Sequence, residues 1–116
     1  MVPFFFLFVI QLFTAIATSA AQEAVVAPGV TDQEVVLGQS AAFSGTSAAL
    51  GTELWRGADA YFKEYNENVG AHERKVKIQI RDDSYDGDLT IKNTIELITK
   101  EQVFALFGYV GTPTLA

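Results

Sequence analysis

Two polar segments, residues 43–51 and 108–114, contain the side chains best suited to hold a small ligand. Both are rich in Gly, Ser and Thr. Glycine lets backbone N–H groups come close to a ligand, and the hydroxyl groups add further hydrogen-bond donors. The two segments therefore offer donors that carry no charge.

A cluster of four aspartates, Asp82, Asp83, Asp86 and Asp88, is a candidate cation site. From Asp82 the order Asp-x-Ser-x-Asp-Gly matches the start of an EF-hand loop. The twelfth position is Asn93 instead of Glu, and a strand instead of a helix precedes the loop. An aspartate pair after a strand is also typical of phosphoacceptor pockets in response regulators, but this chain is predicted to be exported. We therefore predict no metal site and no phosphotransfer.

The composition excludes several classes of protein. The 116 residues include no cysteine, which excludes a disulfide framework, a cysteine nucleophile and a zinc site of the cysteine type. The net charge of −6 argues against nucleic acid as a partner, because binding to its phosphate backbone needs a basic patch. Glycine-rich nucleotide motifs and a Gly-x-Ser-x-Gly motif are also missing from the sequence. We therefore expect neither an enzyme nor a cofactor, in a chain long enough for one small domain.

The first 21 residues have the pattern of a secretory signal peptide. Residues 4–10 are all apolar, and the small residues Ser19, Ala20 and Ala21 stand where a signal peptidase cleaves. A retained membrane anchor is the alternative, because about 20 apolar residues can span a bilayer. We expect a signal peptide, a linker and an exported domain at residues 1–21, 22–32 and 33–116.

The residue pattern of the exported part predicts three strands and two helices in alternation. This order indicates a parallel sheet with right-handed crossovers. Residues 75–81 alternate between polar and apolar, so this strand is expected at or near a sheet edge. The unbroken apolar run at residues 103–107 predicts a strand covered on both faces. In such α/β sheets, ligands lie beyond the carboxyl ends of the strands, near the point where strand order reverses. The predicted ligand loops are residues 43–51, 82–87 and 108–114.

The other elements are a first strand at residues 34–42, a first helix through residues 54–65 and a second helix that Asp88 is expected to cap. In the second helix, apolar residues recur on one stripe, which we expect to pack inward, while Asn93 and other polar residues face away. The stripe consists of Ile91, Ile95 and Ile98.

At these loops the sequence resembles the Leu/Ile/Val-binding protein family, the type I periplasmic solute-binding proteins of ABC transporters. The resemblance runs in collinear order from about Thr31 to the last residue. Four pieces carry it: residues 38–45, residues 56–62, the pair Asp82-Asp83, and residues 103–114.

The resemblance implies a solute clamped between two lobes and handed to an ABC permease in the membrane. In this family the first lobe binds the carboxylate of an amino acid through hydroxyl groups and backbone N–H groups. The match places Thr112 on that carboxylate and Leu50 against the ligand side chain. Ser44 would shape the first loop, and Gly111 and Thr114 would flank the anchor.

Some positions differ from the family or have another interpretation. Tyr85 and Gly111 stand where some members have a disulfide, and Leu50 replaces an aromatic residue of several amino-acid binders. Tyr85 is either an aromatic lid over the cleft or an exposed loop tyrosine. Thr112 and Thr114 would also suit a turn that caps a following helix.

Family members are several times longer, so we interpret the chain as the N-terminal part of a first lobe, from a truncated or partial reading frame. The expected function is periplasmic binding of amino acids or related small carboxylates and amides for import through an ABC permease. A ligand-sensing ectodomain of a signalling receptor, which has the same lobe fold, is the alternative.

Overall fold

The computed structural model describes residues 27–115 of the chain. The predicted signal peptide at residues 1–21 lies outside the described residues. Among residues 27–115, no helix is long and apolar enough to cross a membrane. The predicted order of three strands and two helices is confirmed. The elements are β1 (Glu34–Ala41), α1 (Ala48–Asn68), β2 (Lys75–Asp82), α2 (Gly87–Thr99) and β3 (Ala105–Leu106), followed by a 3-10 turn at Thr112–Thr114.

The three strands form a parallel sheet in the order β2-β1-β3. Val35 of β1 lies opposite Val76 of β2, and Leu37 lies opposite Ala105 of β3. The strand order therefore reverses at β1, because the chain first steps to one side of it and then crosses to the other. All three strands end at the same edge of the sheet, as parallel strands must.

The predicted edge position of β2 is confirmed, and Asn66 of α1 occupies the open side of this strand. Its Nδ2 donates to the Val76 carbonyl at 2.8 Å, and its Oδ1 accepts the Val76 N–H at 2.7 Å. One side-chain amide therefore satisfies the backbone groups that a further strand would otherwise bind. This arrangement protects the edge from pairing with another chain.

The two helices pack on opposite faces of the sheet. A Cβ atom at Gly38 would lie 3.2 Å from Cδ1 of Leu97 in α2, whereas a Cβ atom at Gly51 in α1 would lie 3.0 Å from the Ala41 methyl group. Gly38 and Ala41 are three residues apart on β1, so they face opposite sides of the sheet. This is the arrangement that right-handed crossovers in opposite directions require.

Helix α1 begins earlier than predicted, at Ala48, because Ala48, Ala49 and Leu50 are good helix formers. The predicted ligand loop at residues 43–51 is therefore shorter, and Leu50 lies in the first turn of the helix. The helix ends at Asn68, within the predicted stop at residues 66–70.

The predicted packing face of α2 is wrong. Ile91, Ile95 and Ile98 are 60%, 56% and 53% exposed, while Asn93 is buried and Leu97 is fully buried. Thr90, Asn93 and Leu97 also recur with helical spacing, so the period alone supports either face. The buried face is the polar one because the sheet presents polar partners to it.

The N-terminus of α2 also differs from the prediction. Asp86 is the N-cap, and its Oδ1 accepts the Leu89 N–H at 3.0 Å. Asp88 lies in the first turn instead, where its negative charge suits the positive end of the helix dipole.

The third strand is shorter and more open than predicted. Both residues of β3 are exposed, and within the described residues only β1 pairs with it. Val103, just before the strand, is buried and donates its N–H to the Leu97 carbonyl at 3.1 Å. The run at residues 103–107 is therefore not covered on both faces in the described part of the chain.

Candidate ligand-binding rim

The loops that follow β1 and β2 are joined directly at the carboxyl edge of the sheet. Asp82 Oδ1 accepts the Phe43 N–H at 2.9 Å, and the hydroxyl groups of Ser44 and Ser84 lie 2.8 Å apart. We call the edge formed by residues 42–47, 83–86 and 108–115 the carboxyl rim.

The loop after β3 joins the same rim through the loop after β2. A Cβ atom at Gly111 would lie 2.3 Å from Cε2 of Tyr85, so the tyrosine ring packs directly on the glycine. A Cβ atom at Gly87 would lie 2.8 Å from the Pro113 carbonyl oxygen. The second loop therefore contacts both the first and the third.

Beneath the rim lies a buried polar network around Asp83, whose side chain is fully buried. Its Oδ2 accepts hydrogen bonds from Ser40 at 2.8 Å and from Thr90 at 3.1 Å, and its Oδ1 accepts the Tyr85 N–H at 2.9 Å. Asn93 donates to Ser40 at 3.2 Å and to the Asp82 carbonyl at 2.9 Å. This network was not predicted from the sequence. The sequence feature that could have indicated it is the pair of polar residues Thr90 and Asn93, which are three positions apart and so share one face of the helix.

Thr112 and Thr114, two residues of the predicted ligand site, differ in whether their hydroxyl groups are free to donate to a ligand. Thr112 is exposed, and its hydroxyl makes no hydrogen bond to the described residues. Thr114 is buried, and its hydroxyl donates to the carbonyl oxygens of Val110 and Gly111, both at 2.9 Å. Thr112 therefore has a free donor at the rim, whereas the Thr114 proton is used within the loop.

The other predicted contacts lie on the first two loops. Ser44 is exposed at the rim and bound to Ser84. Leu50 is 45% exposed on the first turn of α1, close to the rim in sequence. Tyr85 is only half-buried, and its ring lies against Gly111 instead of projecting freely into solvent.

Gln39 is a second residue whose structural role was not predicted from the sequence. It is fully buried in β1, and its Nε2 donates to the Gly108 carbonyl at 2.9 Å. This bond ties the middle strand to the start of the third loop. Gly108 has a φ of 67°, and a Cβ atom there would lie 2.8 Å from Gln39 Nε2, so both the backbone and the space require glycine.

A cavity of about 590 Å³ lies where the third loop of the rim meets α2. It is an open groove between α2 and the 3-10 turn, and its apolar wall contains Ile91 and Ile95. Tyr109 also lines it, and its hydroxyl lies 2.7 Å from that of Thr94. Burial raises the pKa of the Tyr109 hydroxyl, so this group stays neutral at physiological pH. We place the candidate binding site where the loops after β1, β2 and β3 meet and not in this groove, because direct contacts join the loops there.

The aspartates of the second loop serve the fold. Asp82 and Asp83 accept backbone N–H groups of the loops, and Asp86 accepts one from the first turn of α2. Among residues 27–115, no group of three or more His, Cys, Asp or Glu side chains is arranged to hold a metal ion.

The pKa of Asp82 is lowered. Partial desolvation opposes this shift, but hydrogen bonds from Ser44, Phe43 and Ser84 together outweigh it. The carboxylate therefore stabilises the folded loops above the pKa of the unfolded chain, about 3.9, and the contribution is lost as the pH falls through the folded pKa.

We expect Asp82→Asn to reduce the free energy of unfolding at pH 7 and to flatten its decline at acidic pH. Urea titrations of both proteins between pH 7 and pH 3 measure this. Asp88→Asn is the matched control, because Asp88 makes no hydrogen bond to the described residues and this variant loses only the weaker interaction with the helix dipole. Parallel pH profiles for the wild type and Asp82→Asn would contradict the assignment.

Residues 34–116 match the family model described as periplasmic binding protein. No curated protein sequence matches the chain.

Solved structures share this fold. A possible leucine/isoleucine/valine-binding protein from Rhodopirellula baltica is 34% identical, with a TM-score of 0.68 over 72% of this chain. A fatty acid ABC transporter substrate-binding protein from Thermomonospora curvata is 28% identical, with a TM-score of 0.68 over 77% of this chain. A solute-binding protein from R. palustris in complex with 4-hydroxybenzoate is 28% identical, with a TM-score of 0.61 over 71% of this chain. The match spans only 22% of the length of each of these proteins.

Proposed function

The chain belongs to the periplasmic binding protein family, and we propose that it forms the N-terminal part of the first lobe of a periplasmic solute-binding protein. The observation that carries the proposal is the meeting of three polar loops at the carboxyl rim, where the strand order reverses. Ligands of open α/β sheets bind at this position. Binding proteins, and no enzymes, are named among the similar structures reported above.

We propose that the rim binds the carboxylate of a small solute. Thr112 supplies a hydroxyl whose proton is free among the described residues, and Gly111, which is covered by the Tyr85 ring, flanks it. Charge-assisted hydrogen bonds of this kind are about twice as strong as neutral ones, so a few of them suffice in a cleft. Leu50, on the first turn of α1, is placed to contact an apolar part of the solute.

An amino acid suits this rim better than a simple anion. Asp82 is a charged carboxylate on the same edge, and it would repel a ligand that carries only negative charge. A zwitterion offsets that repulsion with its ammonium group. The relatives named above include a possible leucine/isoleucine/valine-binding protein and a 4-hydroxybenzoate complex, so related carboxylates belong to the same proposal.

The partner in this proposal is an ABC permease, since two of the relatives named above are ABC transporter binding proteins. Export through the predicted signal peptide would place the lobe in the periplasm, where such proteins meet their solutes.

We expect Thr112→Val to weaken binding of L-leucine by the full-length protein by about 1–3 kcal/mol, or roughly 5- to 150-fold. The reason is that the ligand carboxylate loses a donor while it stays desolvated. Isothermal titration calorimetry measures the change. The control is Thr99→Val, which removes a hydroxyl at the opposite end of α2. Equal affinities of the wild type and Thr112→Val would refute the role of Thr112.

A further inference from the structure

The conformation of the second loop depends on two consecutive residues in the left-handed region. Ser84 has a φ of 51° and Tyr85 a φ of 67°, values that are uncommon for residues other than glycine. Each backbone N–H is held by a different aspartate: Ser84 by Asp82 at 2.9 Å and Tyr85 by Asp83 at 2.9 Å. The two carboxylates therefore fix the direction in which the chain presents the Tyr85 side chain.

The two aspartates differ in their surroundings. Asp82 is exposed, whereas Asp83 is fully buried and receives its hydrogen bonds from uncharged groups alone. Within the described residues, no cation forms an ion pair with Asp83. Ser40 comes from β1 and Thr90 from α2, so this carboxylate ties a strand and a helix to one point. A buried polar group with every partner in place specifies a single local arrangement.

The Tyr85 ring transmits this arrangement to the third loop. It packs on Gly111, which has a φ of 117° and which precedes the 3-10 turn that begins at Thr112. Any displacement of Tyr85 would open the space over Gly111, and the loop that carries Thr112 would lose its lateral support.

We propose that Asp83 is a positioning residue for the binding rim. Through the Tyr85 N–H it holds the tyrosine ring against Gly111, and so it sets the position of the loop at residues 108–115. Asp83 does not touch the solute. The consequence for binding rests on the proposed function, whereas the control of loop position does not.

The test is NMR spectroscopy of the full chain without ligand. The ring of Tyr85 shifts the Gly111 Hα resonances, and Tyr85→Leu gives their position without the ring. We expect Asp83→Asn to move them toward the Tyr85→Leu values. The Tyr85 amide should also exchange with solvent about tenfold faster, which is the factor for losing roughly 1.4 kcal/mol of hydrogen bonding. Asp88→Asn is the control and should leave both signals unchanged, as should the distant Val76 amide in every variant.

A matched pair at Thr90 decides the question if Asp83→Asn does not fold. Thr90→Val keeps the side-chain shape but removes the hydroxyl, whose proton is shared between Asp83 Oδ2 at 3.1 Å and the Asp86 carbonyl at 2.8 Å, whereas Thr90→Ser keeps it. We expect Thr90→Val to shift the Gly111 and Tyr85 signals in the same direction and Thr90→Ser to restore them. A folded Asp83→Asn or Thr90→Val protein with unchanged Gly111 and Tyr85 signals would overturn the proposal. Because no solute is present, this result does not depend on whether the rim binds a carboxylate.

Discussion

Replacing Gly51 with alanine should destabilise the protein by about 2 kcal/mol, the range of overpacked interiors. Alanine favours a helix over glycine, but here its Cβ atom would lie 2.1 Å from the Ala42 carbonyl oxygen. The Cβ atom is fixed to the backbone of α1 and the oxygen belongs to the backbone after β1, so no side-chain rotation can relieve the clash. The first turn of α1 must therefore move off β1, and it would carry Leu50 away from the rim.

Gly57→Ala is the matched control in the same helix. Beyond the adjoining residues and the backbone of its own helix, no atom lies within 4 Å of a Cβ at this exposed position, so only the gain in helix propensity remains. We expect this variant to be more stable than the wild type by about 0.5–1 kcal/mol. Urea denaturation followed by circular dichroism measures both changes. A stabilising effect at both positions would mean that α1 does not pack closely on β1.

Leu97→Ala should have the largest effect among single truncations in α2, about 2–5 kcal/mol. Leu97 is fully buried against Gly38 of β1, so the truncation leaves a cavity between helix and sheet. Ile98→Ala removes the same number of atoms from the neighbouring position, but this side chain is 53% exposed.

We expect Ile98→Ala to cost less than about 1 kcal/mol, in keeping with a side chain that loses little burial. The same urea titrations compare the two variants directly. A larger cost at Ile98 than at Leu97 would restore the packing face that the apolar stripe predicts and reject the observed one.

The fold could be predicted from the sequence where its cause is local. Alternation at residues 75–81 identifies an edge strand, and this is where β2 lies. The packing face of α2 was predicted wrongly because both the isoleucine stripe and the face with Asn93 and Leu97 have the helical period. Hydrophobicity favours the stripe, which is the exposed face. Only the neighbours decide between them: Asn93 is buried because Ser40 and the Asp82 carbonyl satisfy it. Those partners are distant in sequence and cannot be identified from the period.

The position of the candidate site was also predictable, because the carboxyl edge of a parallel sheet follows from element order alone. The polar network beneath it was not. Asp83 looks like part of an exposed acidic loop until β1 and α2 surround it. Likewise, the contact between Tyr85 and Gly111 joins two loops 26 positions apart, and only the folded chain brings them together.

The most direct test of the binding rim compares L-leucine with L-leucinamide, which lacks the carboxylate, in ¹⁵N NMR titrations of the full-length protein. We predict saturable shifts with L-leucine at the backbone amides of residues 44–47, 110–112 and 114, and much weaker shifts with L-leucinamide. Equal responses to the two compounds, or shifts confined to the outer face of α2 around Ile91 and Ile95, would contradict a carboxylate site at this edge of the sheet.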